Sequence, residues 1–303
     1  MSLYPPPVTL KAERFTRVPD KFRKQVRTAW AEANKAGQIA DCFLEGPSFD
    51  RAGNLWVTDI PHGRIFKISP AGDWSLVAEC DGWPNGLKFH KDGRAFITDY
   101  KRGIMVLDPA TGKVTPLIET VRSESFKGVN DLHFASNGDL YFTDQGQTGL
   151  HDPTGRVYRF TADGQLTCLV NTIPSPNGIA LDLHEKVVLV AVTRANAIWR
   201  IPLMIDGGVS KVGVAAQLSG GLAGPDGLAL DEEGGLVIAH PGMGCWRFDR
   251  LLRPTHFIEP PDSIFVTNAA FNGKRLYMTE SESGTILVAD LPVAGKRMYG
   301  QTD

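Results

Sequence analysis

Six polar residues recur at the same place in six similar phrases of the sequence, and together their oxygen atoms could bind a cation. We call them the column residues: Glu45, Asn85, Asn130, Asn177, Asp226 and Asn268. They are spaced 40 to 49 residues apart. Repeats of this length that contain paired strands are typical of solenoids and propellers, and a closed ring of blades brings equivalent residues together around one axis. Carboxylate and amide oxygens gathered there would suit a hard cation.

The simplest alternative is that the column residues are turn formers. Asn85, Asn177 and Asp226 each precede a glycine, and Asn-Gly and Asp-Gly are common turn pairs. Glu45 does not fit, because a glutamate has no advantage in turns and a carboxylate buried near the axis needs a cation or a donor. Glu45 and Asp226 supply two negative charges, and Asn130 and Asn177 add neutral oxygens. The set therefore predicts one divalent cation, with Ca²⁺ favoured, Mg²⁺ or Mn²⁺ also suited, and Zn²⁺ a weaker alternative.

The elements that must position this column are short strands. The second repeat predicts four of them, at 86–89, 94–98, 103–107 and 113–118, separated by turns. Four strands in about 45 residues make one propeller blade. The sequence therefore predicts an all-β fold, a six-bladed β-propeller over residues 38–303. Each column residue would precede an innermost strand, at one mouth of the central channel.

The first 37 residues do not repeat. Residues 1–37 are predicted to form an N-terminal extension with one amphipathic helix of about four turns. Apolar residues recur there at helical spacing, with a glycine placed to end the helix: Phe22, Val26, Trp30, Ala33 and Gly37. The last blade looks short after Asp290, and residues 38–43 are predicted to supply its missing outer strand and close the ring.

Composition excludes several classes of function. The net charge of −2 gives no electrostatic footprint for a nucleic-acid partner. The four cysteines lack C-x-x-C spacing, which argues against a zinc or redox motif and favours a reducing compartment. No signal peptide and no apolar run of membrane-spanning length are seen, so we expect a cytoplasmic protein without a membrane partner. Oligomeric state stays open.

Four of the repeated phrases together resemble a known family. The runs EGPSFD…LWVTDI, NDLHF…YFTD, SPNGIALD and PDGLALD follow in the order seen in the SMP-30/gluconolactonase/LRE-like family, across about residues 39–291. In that family the equivalent residues hold one divalent metal at the channel mouth, which the resemblance assigns here to Glu45, Asn130, Asn177 and Asp226. The resemblance implies a metal-dependent hydrolase whose partner is a small-molecule lactone or ester.

The chemistry of lactone opening suggests further roles. A divalent ion in an open site polarises a carbonyl and lowers the pKa of bound water, and Asp226 is the predicted catalytic residue that orients or deprotonates this water. Asn85, Asp131 and His240 are predicted to contact substrate. Asp131 could instead support the metal ligands or accept a hydrogen bond at the strand start, and His240 could be a rim residue. The repeated aspartates Asp59, Asp99 and Asp144 are predicted to be structural, bonding turn amides between blades.

One departure from the family pattern bears on the substrate. Sugar-lactone members often carry an arginine two residues before the ND asparagine, where this chain has Gly128. Four aromatic residues are candidates for making the pocket more apolar: Trp83, Tyr100, Phe126 and Trp246. Two alternatives to a lactonase stay open: a phosphotriesterase or arylesterase at the same metal site, and a non-catalytic ligand-binding propeller.

Overall fold

Six sheets of four or five strands surround one axis in the computed structural model, which describes residues 4–302. The predicted six-bladed β-propeller is confirmed. Within each blade the chain runs from the inner strand outward through neighbouring hairpins. Blades 1 to 3 contain these strands, from the axis outward: Leu44–Phe49, Leu55–Asp59, Arg64–Ile68 and Trp74–Glu79; Pro84–Phe89, Ala95–Asp99, Gly103–Leu107 and Val114–Ile118; Val129–Phe134, Leu140–Asp144, Gly155–Phe160 and Leu166–Ile173.

Blades 4 to 6 continue the pattern, and a two-stranded ribbon, Thr120–Val121 with Glu124–Ser125, connects blades 2 and 3. Blade 4 contains Pro176–Leu181, Val187–Val192, Ala197–Pro202 and Gly213–Gln217. Blade 5 contains Leu228–Leu230, Leu236–His240, Gly244–Phe248 and Pro254–Glu259. Blade 6 takes Val266–Asn272, Arg275–Glu280 and Thr285–Asp290 from this part of the chain.

The N-terminal segment closes the ring, and the prediction that residues 38–43 do so is wrong. The strand Glu13–Arg17 pairs antiparallel with Thr285–Asp290 and becomes the outer strand of blade 6. The strand Val8–Lys11 pairs parallel with Pro254–Glu259 and adds a fifth strand to blade 5. Residues 8–17 thus belong to the propeller sheets rather than to a separate extension. The terminal residues 1–3 and 303 lie outside the described residues.

The predicted long helix is also wrong. A 3₁₀ turn at Asp20–Phe22 and one α-helix, α1 (Ala29–Asn34), replace it. The Thr28 hydroxyl caps α1 by accepting a hydrogen bond from the Ala31 N–H at 3.2 Å. Trp30 packs against Ile60 in the core, so this single turn lies on the face where the channel opens. The helical spacing misled because Phe22 packs on blade 1 from the separate 3₁₀ turn, whereas Val26, between that turn and α1, is exposed.

The core lies between blades, where apolar side chains of adjacent sheets interdigitate. Phe96 and Ile104 of blade 2, for example, pack with Leu132 and Phe142 of blade 3. Further 3₁₀ turns lie at Ile60–His62, Thr193–Ala195 and Tyr299–Gln301. No helix within residues 4–302 is long and apolar enough to cross a membrane.

The channel opens to a pocket at the mouth where the column residues lie. At the other end the C-terminal segment covers the axis and leaves a cavity of about 30 Å³, lined among others by Lys88, His133, Lys296 and Gln301. That volume corresponds to about one water molecule. A separate pocket of about 460 Å³ lies beside this covered end and is not lined by any column residue.

Candidate metal centre at the channel mouth

Strand irregularities turn the column residues toward the axis. In blades 1 to 4 the pairing of the innermost strand shifts register just at the column residue: between Glu45 and Ser48, Pro84 and Leu87, Val129 and Leu132, and Pro176 and Ile179. Bulges of this kind re-aim side chains and are frequent beside active sites. The column residues of these four blades therefore lie within the first strands, not ahead of them and not in turns.

A threonine in each of four blades fixes the column segment of the next blade. It is the threonine of the repeated phrase, which lies near the end of the second strand in blades 1 to 3 and just after it in blade 4, and its hydroxyl donates to a backbone carbonyl across the blade boundary. The pairs are Thr58 to Asn85 at 2.6 Å, Thr98 to Asn130, Thr143 to Asn177 at 2.7 Å, and Thr193 to Pro225 at 2.8 Å. Neighbouring blades are thus locked together at the height of the column.

The aspartates after these threonines act within one blade. Asp59 accepts from the Phe43 N–H at 2.7 Å, Asp99 from Trp83 at 3.0 Å and Asp144 from Gly128 at 2.8 Å. In each case the donor lies two residues before the column residue of the same blade. The expected structural role agrees with these contacts, but the expectation that these aspartates bond between blades is wrong.

Five column residues line one pocket of about 180 Å³ at the mouth: Glu45, Asn85, Asn130, Asn177 and Asp226. The sixth, Asn268, lies behind Glu45 and donates from Nδ2 to Glu45 Oε2 at 2.9 Å, which orients that carboxylate. The Asn130 amide donates to Gln145 Oε1 at 2.8 Å, so its oxygen is left for a ligand. The structure therefore brings the four predicted metal ligands together.

The two acids of this pocket both have raised pKa values. Burial, with a contribution from the nearby Asp131 charge, raises the pKa of Glu45 to about 7. Burial and the Glu45 charge raise the pKa of Asp226 well above its usual range. Within residues 4–302 no cationic side chain lies at ion-pair distance from either carboxylate, although the Lys35 charge partly offsets the raised pKa of Asp226. No three His, Cys, Asp or Glu side chains of these residues form a metal cluster alone. A cation bound here must therefore use the amide oxygens as well as the two acids.

Asp131 lies deeper in the channel and does not line the mouth pocket. Its Oδ1 accepts from the Leu132 N–H at 2.8 Å and is 3.9 Å from Lys88 Nζ. It fits because Gly86 of blade 2 has no side chain: a Cβ there would lie 2.6 Å from the same oxygen. Burial raises the pKa of Asp131. The contacts place Asp131 behind the ligands rather than among the pocket-lining residues.

His240 lies in a different cleft. It lines a cavity of about 500 Å³ with apolar neighbours that include Met243 and Trp246. Burial lowers the pKa of His240, and its Nε2 has no hydrogen-bond partner among residues 4–302. Only the next residue, Pro241, reaches the mouth pocket. The structure therefore does not bring His240 together with the column residues.

The mouth has an aromatic wall that sequence reasoning largely missed. Trp30 from α1, Phe43 and Phe265 line the pocket, together with Tyr100, the one member of the four predicted aromatics that does so. Trp83, Phe126 and Trp246 are absent from the lining. The sequence did contain one indication of this wall: Phe43 lies two residues before Glu45, so it could have been expected near the mouth.

Tyr100 also explains why the chain has glycine at position 128. A Cβ on Gly128 would lie 2.6 Å from Cε1 of the Tyr100 ring, so no larger residue fits while the ring stays in place. The Tyr100 hydroxyl accepts from Gln147 Nε2 at 3.2 Å. The ring thus takes the space that an arginine at position 128 would need, and this part of the mouth becomes flatter and less charged.

A second cleft adjoins the mouth. It encloses about 550 Å³ and is lined mainly by polar groups, including Gln147, Thr148 and His151. Three residues line both cavities: Asn34, Gln145 and Arg194. Arg194 is exposed and donates one long hydrogen bond, to the Ala223 carbonyl at 3.5 Å. The mouth therefore continues into a polar groove with a positive charge at the junction.

The sequence matches a known family and a curated relative. Residues 43–282 match the SMP-30/Gluconolactonase/LRE-like region. A relative named lactonase drp35, from Staphylococcus aureus, is 35% identical over 227 residues, which cover 71% of this chain and 67% of the relative.

Solved structures share the fold at lower identity. A gluconolactonase from Xanthomonas campestris superposes with a TM-score of 0.75 at 21% identity, covering 96% of this chain and 99% of that one. A calcium-binding protein, regucalcin, from Agrobacterium tumefaciens gives a TM-score of 0.74 at 22% identity, covering 96% and 98%.

Proposed function

The chain belongs to the SMP-30/gluconolactonase/LRE-like family, and from that premise we propose that it is a metal-dependent lactonase. The observation that carries the proposal is the pair Glu45 and Asp226, two acids with raised pKa values that share the mouth pocket with three asparagines. A scaffold has no use for two carboxylates that share one pocket without an ion-pair partner, because removing them from water costs stability. A divalent cation, for which we propose Ca²⁺, offsets that cost. The residues that would hold it are Glu45, Asn130, Asn177 and Asp226.

Such an ion, when bound, supplies a polarised carbonyl and a more acidic water. The protein supplies position and proton transfer. Asp226 is half-buried and lines the pocket, so its carboxylate can accept the proton of the attacking water. As the water oxygen bonds to the carbonyl carbon, the ring C–O bond breaks. The ring oxygen takes up a proton, and the product is a hydroxy acid.

The lining of the mouth favours lactones with a flat or apolar ring. Tyr100, Trp30, Phe43 and Phe265 form an aromatic wall, and Tyr100 excludes a charged residue at Gly128. Aromatic faces bind flat apolar rings well but do not satisfy several hydroxyl groups. We therefore expect dihydrocoumarin and γ-butyrolactone to be hydrolysed at least as well as D-glucono-1,5-lactone.

The test is a hydrolysis screen with matched metal analysis. Purified protein is stripped with chelator, reloaded with Ca²⁺, Mg²⁺, Mn²⁺ or Zn²⁺, and assayed for kcat/KM on the three lactones and on paraoxon. We expect lactone turnover that chelator removes and a divalent ion restores. Turnover of paraoxon alone would show a phosphotriesterase. A filled metal site with no turnover of any substrate would show a ligand-binding propeller.

A further inference from the structure

Lys35 places a positive charge at the mouth pocket, and the proposed metal site gives this charge no role. It follows α1 directly, and its N–H donates to the Ala31 carbonyl at 2.8 Å, which fixes the backbone where the helix ends. Its side chain lines the same pocket as Glu45 and Asp226. The N-terminal segment therefore places a positive charge over a pocket built by the blades.

Two aromatic rings hold the ammonium group of Lys35. Nζ is 4.7 Å from the ring centroid of Phe43 and 4.5 Å from that of Phe265. Within residues 4–302 the ammonium donates no hydrogen bond and has no carboxylate at ion-pair distance, and the charges of Glu282 and Asp226 act on it only from farther away. Cation–π contacts fix a cation without neutralising it or occupying its N–H donors. The ammonium therefore keeps its donors for a molecule in the pocket.

We propose that Lys35 is a catalytic residue that gives a proton to the ring oxygen of the lactone as it leaves. The inference rests on the proposed lactonase function. The water oxygen bonds to the carbonyl carbon and Asp226 takes its proton; the ring C–O bond breaks, and its electron pair accepts the proton from the Lys35 ammonium. The neutral amine then recovers a proton from solvent.

The surroundings of Lys35 suit a proton donor. Burial lowers the pKa of Lys35, opposed in part by the charges of Glu282 and Asp226, so the ammonium loses its proton more readily than an exposed lysine. An alkoxide leaving group is a strong base and needs such a donor. A phenolate leaving group is a weak base and needs one far less.

This difference between leaving groups gives the test. The variants are Lys35→Met and Lys35→Arg, and the matched control is Lys101→Met. Lys101 has its Nζ 4.6 Å from the Trp83 ring centroid, and it lies outside the mouth pocket. Each protein is assayed on γ-butyrolactone, which releases an alkoxide, and on dihydrocoumarin, which releases a phenolate. Metal content and Tm are measured on the same samples.

Lys35→Met should lower kcat for γ-butyrolactone by about 10²-fold or more and for dihydrocoumarin by less than about 10-fold. Lys35→Arg should be as poor as Lys35→Met on γ-butyrolactone, because a guanidinium keeps its charge but does not release a proton. Lys101→Met should match wild type. All four proteins should have equal metal content.

Three results would overturn the assignment. Equal losses on both lactones, or rescue by Lys35→Arg, would show that Lys35 binds charge rather than donating a proton. Wild-type rates in both Lys35 variants would remove Lys35 from catalysis and leave the lactonase function intact. A wild-type protein that fills its metal site but opens neither lactone would refute the lactonase function, and the role of Lys35 with it.

Discussion

Replacing Glu45 by glutamine should stabilise the metal-free protein at alkaline pH while removing its metal site. Glu45 is 4% exposed, and its pKa rises from 4.5 to about 7 on folding. Between these values the folded state binds more protons than the unfolded state. The contribution of Glu45 to folding therefore becomes less favourable as pH rises through this range.

The size of the effect follows from the shift. A change of about 2.5 pKa units corresponds to about 3 kcal/mol, since each unit is worth about 1.4 kcal/mol. Glutamine keeps an oxygen that can accept from Asn268, as Glu45 Oε2 does now at 2.9 Å, but carries no charge. We expect Glu45→Gln to gain about 3 kcal/mol relative to wild type between pH 4.5 and pH 8.

The assay is urea unfolding in chelator, followed by circular dichroism, at several pH values between 4.5 and 8.5. The difference between the two proteins is the relevant quantity, because other groups titrate too. Burial lowers the pKa of His133 to about 3, for example, so His133 makes the folded state less stable as pH falls below 6.5 in both proteins.

Added Ca²⁺ should reverse the order of stability. Wild type gains about RT ln(1 + [L]/Kd) from a bound ion, whereas Glu45→Gln should gain little. A difference that stays flat with pH, or a variant less stable than wild type in chelator at pH 8, would refute the reasoning.

Three further variants test separate parts of the site. Asp226→Asn should lower kcat by about 10²–10⁴-fold at saturating metal, and by more than Asn177→Asp does, because only Asp226 supplies the base. Steady-state assays measure both effects. A near wild-type kcat in Asp226→Asn would show that Asp226 is only structural. Thr143→Val should lower the free energy of unfolding in urea by about 2–4 kcal/mol, because the buried Asp131 N–H and Asn177 carbonyl both lose the hydroxyl as a hydrogen-bond partner. A loss below about 0.5 kcal/mol would contradict the role of the inter-blade bonds. Gly128→Ala should lower the free energy of unfolding by about 1–3 kcal/mol, because the new methyl group overlaps the Tyr100 ring. Adding Tyr100→Ala to this variant should remove the overlap and recover the stability lost to it. No recovery in the double variant would exclude the steric cause.

The repeats made the blades and the ring of column residues predictable. Each blade contains alternating strands of similar length, so aligning the phrases was enough to place Glu45, Asn130, Asn177 and Asp226 at one mouth. Local pattern and global fold agree here because the same phrase occupies the same position in each blade. The threonine and aspartate that end the second strand of blade 3 illustrate this, since Thr143 bonds to the next blade and Asp144 bonds within its own.

The non-repeating parts were not predictable in the same way. Residues 8–17 have no partner nearby in sequence, so nothing local shows that they pair with strands more than 240 residues away. The contribution of Trp30 and Lys35 to the mouth depends on that same closure, because it places α1 over the channel. His240 was misplaced for a different reason: a position at the end of a second strand fixes the face of the propeller but not the cleft in which a side chain lies.

The most direct test of the central claim is a crystal structure with Mn²⁺, in which anomalous scattering locates the ion. We expect one strong peak at the channel mouth, about 2.0–2.6 Å from side-chain oxygens of Glu45, Asn130, Asn177 and Asp226. A crystal of Glu45→Gln grown in the same way should lack that peak. No peak at the mouth of the wild-type protein, or a peak bound elsewhere while the mouth stays empty, would contradict the proposed metal centre.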